Sequence, residues 1–261
     1  MDLELEGRLA IVTGASRGIG LAVTRALVDE GAVVVTGSRS VPPALQTLAD
    51  AGRVHPVEVD LATEGGPAEL VARAAELGDV DVLVNNAGAV APRTDGFLAV
   101  SDGDWRRTFE LDLFAALRAI RAVLPGMVER GRGAVVSIAS VNAYLPDPVV
   151  VDYSAAKAAL WNISKSLSKE FGPAGIRFNT ISPGPVETDL WLGGGGVAST
   201  LGAASGVDPE SVVRAARAGF STGRFTRPEE VADLVLLLAG GRAGNVTGAD
   251  LRIDGGLVQT L

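Results

Sequence analysis

Leu9-Ala10-Ile11-Val12-Thr13-Gly14-Ala15-Ser16-Arg17-Gly18-Ile19-Gly20 is the stretch that decides the fold. Its first four residues form an apolar run of the length of a buried strand. Three glycines follow at once, and a helical apolar pattern then continues to Glu30, where Gly31 supplies a stop. A strand, a glycine-rich turn and a helix in succession make a phosphate cradle. Glycine lets the backbone approach a pyrophosphate, and the first helical turn offers unpaired N–H groups in a positive potential. The spacing is T-G-x-x-x-G-x-G rather than the commoner G-x-G-x-x-G. A glycine turn alone is also an ordinary strand-to-helix connection; the flanking pattern moves the reading towards nucleotide binding.

Working outward, further strands are predicted over 32–36, 54–59, 80–84, 134–138, 176–181 and 249–253. Helices are predicted over 67–77, from about Ser101 to about Arg130, through Tyr153 as far as Phe171, and over 228–239. Pro67 suits a first helical turn, and Pro125 is a candidate kink in the long helix. Trp105 reads as core. No internal repeat and no linker divides residues 1–261. The stretch from Trp191 to Gly206 differs in composition: small, glycine-rich, and suited either to a mobile lid or to a disordered insertion.

Composition narrows the function classes. Hydrophobic residues make up 47% of the 261, ample for a core. A formal charge of -8 argues against nonspecific nucleic-acid binding, which needs a basic surface. Cysteine is absent, which excludes disulfides and thiolate metal sites, and the single histidine, His55, reads as structural, so no metal centre is expected. The acidic start Met1-Asp2-Leu3-Glu4-Leu5-Glu6 is unlike a signal peptide, and no apolar run is long enough to span a bilayer. The expectation is a soluble, cytoplasmic protein that acts away from membranes.

Tyr153 and Lys157 lie four residues apart on a predicted helix, and so on one face. An ammonium beside a phenol favours phenolate and lowers the tyrosine's pKa, preparing it for proton transfer near neutral pH. By itself such a pair is more often a surface lysine beside a half-buried tyrosine. Ser140 follows the fifth strand, at the sheet edge where open parallel sheets bind ligands, although a serine there is commonly a turn residue. Asn85-Asn86-Ala87-Gly88 follows the fourth strand; its amides can brace neighbouring backbone, or it is an ordinary turn. After the second strand come Gly37-Ser38-Arg39-Ser40, with no acidic residue for ribose hydroxyls. Arg39, with Arg17 from the glycine turn, can hold a 2′-phosphate in a forked, charge-assisted geometry, unless both are simply solvated. This points to NADP(H), with NAD(H) as the alternative.

In this order and spacing the residues resemble the short-chain dehydrogenase/reductase family over essentially the whole chain. The match rests on Thr13-Gly14-x3-Gly18-x-Gly20, Asp60, Asn85-Asn86-Ala87-Gly88, Ser140, Tyr153-x3-Lys157, Asn179, Pro183-Gly184 and Asp254-Gly255-Gly256. The resemblance implies an α/β fold: a single Rossmann-like, doubly wound domain with a seven-stranded parallel sheet. It implies hydride transfer between nicotinamide and a carbonyl or secondary alcohol, with a small-molecule substrate of ketone, 3-oxoacyl, steroid-like or polyketide-like type. Tyr153 would be the acid/base, Lys157 would also hold the nicotinamide ribose, and Ser140 would hydrogen-bond the substrate oxygen. Ser16, Ile19 and the turn glycines Gly14, Gly18 and Gly20 would line the cofactor with Ser38. Asp60 would lie at the adenine and Asn86 near the adenosine ribose, with Leu61, Ala87 and Gly88 also lining the cofactor. Pro183, Gly184, Val186 and Thr188 would meet the nicotinamide end. Trp191 would contact substrate within a lid at about 190–223. The resemblance also implies a homotetramer, or a homodimer.

One position departs from the family pattern. Asp112 stands where the family usually has an asparagine that holds a helix distortion and relays protons to the lysine, seven residues after the tryptophan. A carboxylate only accepts, and if buried it must be protonated or paired. This keeps open a weakly catalytic nucleotide-binding sensor or scaffold. The absence of an acid at Ser38-Arg39 counts against an NAD-linked alcohol dehydrogenase.

Overall fold

The valine-rich runs satisfy their backbones against one another. The computed structural model describes residues 2–260, and in it seven strands form one parallel sheet. They are β1 (Leu9–Thr13), β2 (Val33–Ser38), β3 (Val54–Glu58), β4 (Val80–Asn85), β5 (Gly133–Ile138), β6 (Ile176–Pro183) and β7 (Asp250–Ile253). The order is β3-β2-β1-β4-β5-β6-β7. The chain runs outward from β1 to β3, then returns to β4 and runs outward the other way. Loops leaving β1 and β4 therefore diverge and open a crevice at the carboxyl ends. Pro56, which cannot donate to a ladder, is tolerated because β3 is an edge strand.

Alternate strand residues face opposite layers. Ala10, Val12, Val34 and Val84 pack with Val23 and Leu27 of α1 (Gly18–Asp29) and Val231 and Val235 of α10 (Pro228–Ala239). Leu9, Ile11, Val35 and Leu83 pack with Leu70 of α3 (Gly66–Ala75) and Ile120 and Val123 of α5 (Ala115–Arg130). Burial on both faces is why the inner strands read as continuous apolar runs.

Three local features differ from the sequence expectation. A short α2 (Pro43–Asp50) follows β2, begun by Pro43 and holding Leu45 in the core. The long helix is not continuous. α4 (Asp102–Phe109) starts with Ser101, whose hydroxyl accepts from the Asp104 amide while Asp104 accepts from the Ser101 amide. It then passes into a π-helical segment, Glu110–Phe114, before α5 resumes, and Pro125 lies inside α5 without ending it. Finally, the glycine-rich stretch is folded as α7 (Asp189–Leu192) and α8 (Val197–Ser205), followed by α9 (Pro209–Ala218). A Cβ on Gly193 would sit 2.5 Å from the Asp189 carbonyl oxygen, and one on Gly196 2.7 Å from it, so these two glycines permit a close crossing. Gly194 and Gly195 face open space.

Candidate active site

The glycine turn is shaped by its neighbours. Gly14 and Gly18 have φ of +70° and +55°, the left-handed region that favours glycine. A Cβ on Gly14 would lie 2.9 Å from Ala87 Cα, and one on Gly18 3.1 Å from Thr188 Cγ2. The turn is thus held between the loops after β4 and β6. Asn86 fastens it: its amide donates to the carbonyls of Thr13 (2.9 Å) and Gly14 (3.1 Å). The Thr13 hydroxyl in return accepts from the Asn86 and Ala87 amides at 2.9 and 3.0 Å. On the far side Gly184 packs against Asp254, whose carboxylate accepts from the Gly256 and Val258 amides. The C-terminal Asp-Gly-Gly motif therefore braces the loop after β6.

Gly20 is buried inside α1 and does not line the cleft. A Cβ there would collide with the Asn86 amide and the Gly14 carbonyl, so its part is close packing. The other expected positions surround one cleft of about 400 Å³. At one end are Gly14, Ser16, Arg17, Gly18 and Ile19, with Ser38, Arg39, Asp60 and Leu61. α1 begins without a side-chain cap and without acidic residues in its first turn, which leaves its N–H groups free for an anion. Arg17 and Arg39 are exposed, and among the described residues neither pairs with a carboxylate. An uncapped helix start, a cradle that a side chain would fill and two free guanidiniums fit a dinucleotide carrying a 2′-phosphate.

At the other end the side chains converge from three elements. Ser140 follows β5 and exchanges hydrogen bonds with Asn142, whose amide and side-chain oxygen lie 3.2 Å from its hydroxyl. Tyr153 and Lys157 share a face of α6 (Val151–Phe171), with the ammonium 5.6 Å from the phenol ring centroid. Lys157 Nζ donates to the Ile138 carbonyl at 3.0 Å and lies 3.5 Å from Asp112 Oδ1. Both partners are almost wholly buried, at 3% and 1% exposure. Asp112 sits in the π-helical segment, and its two oxygens also accept from the Ala89 amide at 3.2 and 3.3 Å. A Cβ on Gly88 would lie 2.6 Å from Asp112 Oδ1, so only glycine admits this approach.

Burial pushes the Asp112 carboxyl up to about 6, against the pull of Lys157 and the Ala89 amide. For Tyr153, burial and then the Asp112 charge hold the phenol above its usual range, with Ser140 acting the other way. The Asp112 carboxylate beside Lys157 acts on the phenol in the opposite sense to the ammonium.

Several residues were not foreseen. Asp152, next to Tyr153, accepts from Arg93 Nε (3.3 Å), from Arg93 Nη2 and from the Thr108 hydroxyl (2.7 Å). Burial alone would raise its pKa, but these bonds outweigh burial and hold it below the usual range. Asn142, Asp147, Val149 and Val150 line the cleft as well. Their signal was position, because Ser140 and Tyr153 bracket them. Trp191 also lines the cleft, edge-on to Phe225 with centroids 5.3 Å apart.

The fold and this cleft agree with what the chain is similar to. A family model described as short chain dehydrogenase matches residues 8–192. The chain belongs to the short-chain dehydrogenase/reductase family. It is 36% identical to the cis-4-hydroxycyclohexanecarboxylate dehydrogenase of Sinomonas cyclohexanicum, over 95% of this chain and 96% of that protein. It is 31% identical to a 3-oxoacyl-(acyl-carrier-protein) reductase of Thermotoga maritima, over 98% and 100% of the two chains. L-Sorbose reductase from Gluconobacter frateurii, solved with NADPH and L-sorbose, superposes with a TM-score of 0.91 at 35% identity, covering all of both chains. As a short-chain dehydrogenase/reductase, this chain is an oxidoreductase acting on CH–OH and C=O groups. Among the described residues no helix is long and apolar enough to cross a membrane.

Proposed function

We propose that this short-chain dehydrogenase/reductase reduces a ketone, or oxidises the matching secondary alcohol, with NADP(H) as cofactor and Ser140, Tyr153 and Lys157 as its catalytic residues. The bound dinucleotide supplies or accepts the hydride. Ser140 donates a hydrogen bond to the carbonyl oxygen as negative charge develops there. Tyr153 gives its phenolic proton to that oxygen, and in the oxidative direction takes it back. Lys157 holds the nicotinamide ribose and favours the phenolate, with Asp112 moderating its field. Arg17 and Arg39 hold the 2′-phosphate. Asp60 and Leu61 serve the adenine, Asn86, Ala87 and Gly88 the adenosine ribose, and Pro183, Gly184, Val186 and Thr188 the nicotinamide end. The segment at about 190–223 acts as a lid carrying Trp191 to the substrate. We place the enzyme in the cytoplasm as a homotetramer, with a homodimer as the smaller alternative.

One observation supports this reading above the rest: Ser140, Tyr153 and Lys157 share a cleft with two arginines that, among the described residues, no carboxylate neutralises. A solved relative that holds NADPH points to the same cofactor. The buried Asp112 motivates a second reading, a nucleotide-binding sensor with weak turnover. NADPH oxidation over a panel of ketones separates the two. Tyr153→Phe keeps the ring and removes the proton donor, so turnover should fall at least about a hundredfold while NADPH still binds. Reduction near the unmutated rate would remove Tyr153 from its role. Tight NADPH binding without turnover on any ketone would favour the sensor.

A further inference from the structure

Cations are few along the cleft. Among the described residues, the basic side chains lining it are Arg17, Arg39 and Lys157. The two arginines belong to the glycine turn and the end of β2, and Lys157 is committed to the Ile138 carbonyl and Asp112. Beyond these three, the described residues that line the cleft add no cation, and they include Asp147 and Asp189, both exposed.

Two polar groups on the cleft wall have spare capacity. Asp147 Oδ1 accepts from the Val149 amide at 2.9 Å, and Oδ2 has no protein partner among the described residues. Asn142 is tied to Ser140 through its side-chain oxygen, which leaves its NH2 uncommitted. Since a serine hydroxyl both donates and accepts, one end of this amide stays free whichever way it is turned. A free amide and a free carboxylate oxygen thus line the same cleft as the serine and the tyrosine.

We propose that this site, taken as the ketone-reducing site argued above, selects a neutral, polyhydroxylated ketone and rejects ketones that carry a carboxylate. A hydroxyl donates and accepts, so it satisfies both Asp147 and Asn142. A carboxylate brought to the same wall meets Asp147 and Asp189, and like charges brought together discriminate strongly. A plain acyl chain desolvates Asp147 and Asn142 without replacing their hydrogen bonds to water.

The test compares kcat/KM, at saturating NADPH, for L-sorbose, for 5-keto-D-gluconate and for the N-acetylcysteamine thioester of acetoacetate. Butane-2,3-dione, small and activated, reports on the reduction chemistry alone. The expected result is a preference for L-sorbose over the keto acid of at least about tenfold, shrinking as salt is added. Asn at 147 keeps the acceptor for the Val149 amide. Asp147→Asn combined with Asp189→Asn should therefore narrow the gap at least about threefold, through a gain on the keto acid. A preference for the keto acid or the thioester overturns the proposal, as does a ratio that the double variant leaves unmoved. Turnover of the dione without turnover of L-sorbose overturns it too, while leaving the reductase reading intact. If neither the dione nor any other probe oxidises NADPH, both readings fall.

Discussion

Asp112 places a carboxylate within 3.5 Å of Lys157 in the buried floor of the cleft. Its carboxyl, pushed up to about 6 by burial, is ionised above that pH. The ionised form disfavours a second negative charge on Tyr153 and so helps hold the phenol's pKa up. Removing the charge with Asp112→Asn should lower the phenol's pKa. In alcohol oxidation, which needs phenolate, the rising limb of the rate should then lie at higher pH for the unmutated protein than for the variant. Below about pH 6 Asp112 takes up a proton and the two profiles should converge. The measurement is the oxidation rate of one alcohol against pH for both proteins. Superimposable profiles would leave Asp112 a packing role only. The substitution itself was plain in the sequence. That the carboxylate is paired rather than solvated was not, because the pairing depends on a glycine at 88 admitting it and on a helix distortion turning it inward.

The elements that carry these residues are fixed by contacts distant in sequence. α6 is tied near Tyr153 by Asp152, which bonds Arg93 from the loop after β4 and Thr108 from α4. Asp152 is 1% exposed, so removing its partner or its charge leaves a buried group unsatisfied. Asp152→Ala should lower stability by roughly 3–5 kcal/mol, and Arg93→Ala should be comparable, as for other broken buried pairs. The two changes together should cost less than their sum, since each already breaks the shared contact. Denaturant unfolding of the single and double variants measures this, and strict additivity would show that the pair is not coupled. Sequence periodicity missed this network because ion pairing leaves no apolar pattern. It also read α4 and α5 as one helix, since a π-helical segment shifts the register without breaking the helical appearance. The helices in the stretch after Thr188 went unpredicted for a different reason. Glycine counts against helix, yet α8 is held by the burial of Val197 and Ala198. Its glycines still bear on dynamics: ordering them costs more entropy than ordering other residues. Backbone amides of 191–206 should exchange quickly in the free protein and become protected with NADPH and a ketone bound. Full protection without ligand would rule out a lid.

For the molecule as a whole, the strand count was readable because a sheet buried on both faces writes itself as short apolar runs between turns. The order of the strands was not in those runs; the structure supplies it, and it locates the crevice where β1 and β4 diverge. Charge is the other whole-molecule property. A chain of net charge -8 must attract a polyanionic cofactor by local arrangement, against its own overall field. Arg17 and Arg39 supply that arrangement at the adenosine end of the cleft, exposed and without a carboxylate partner among the described residues. If they hold the 2′-phosphate, NADPH should bind more tightly than NADH. A charge-assisted hydrogen bond is worth about 1.5–3 kcal/mol, so the preference should be about tenfold or more at low salt. Arg39→Ala should erase much of it through loss of NADPH affinity, with NADH binding little altered. Because both guanidiniums face solvent, added salt should weaken the preference of the unmutated protein and act less on the variant. Titration of both cofactors at matched ionic strength tests all three statements. Equal affinities in the unmutated protein would mean that the arginines are solvated surface residues, and that the missing acid after β2 leaves the cofactor unselected.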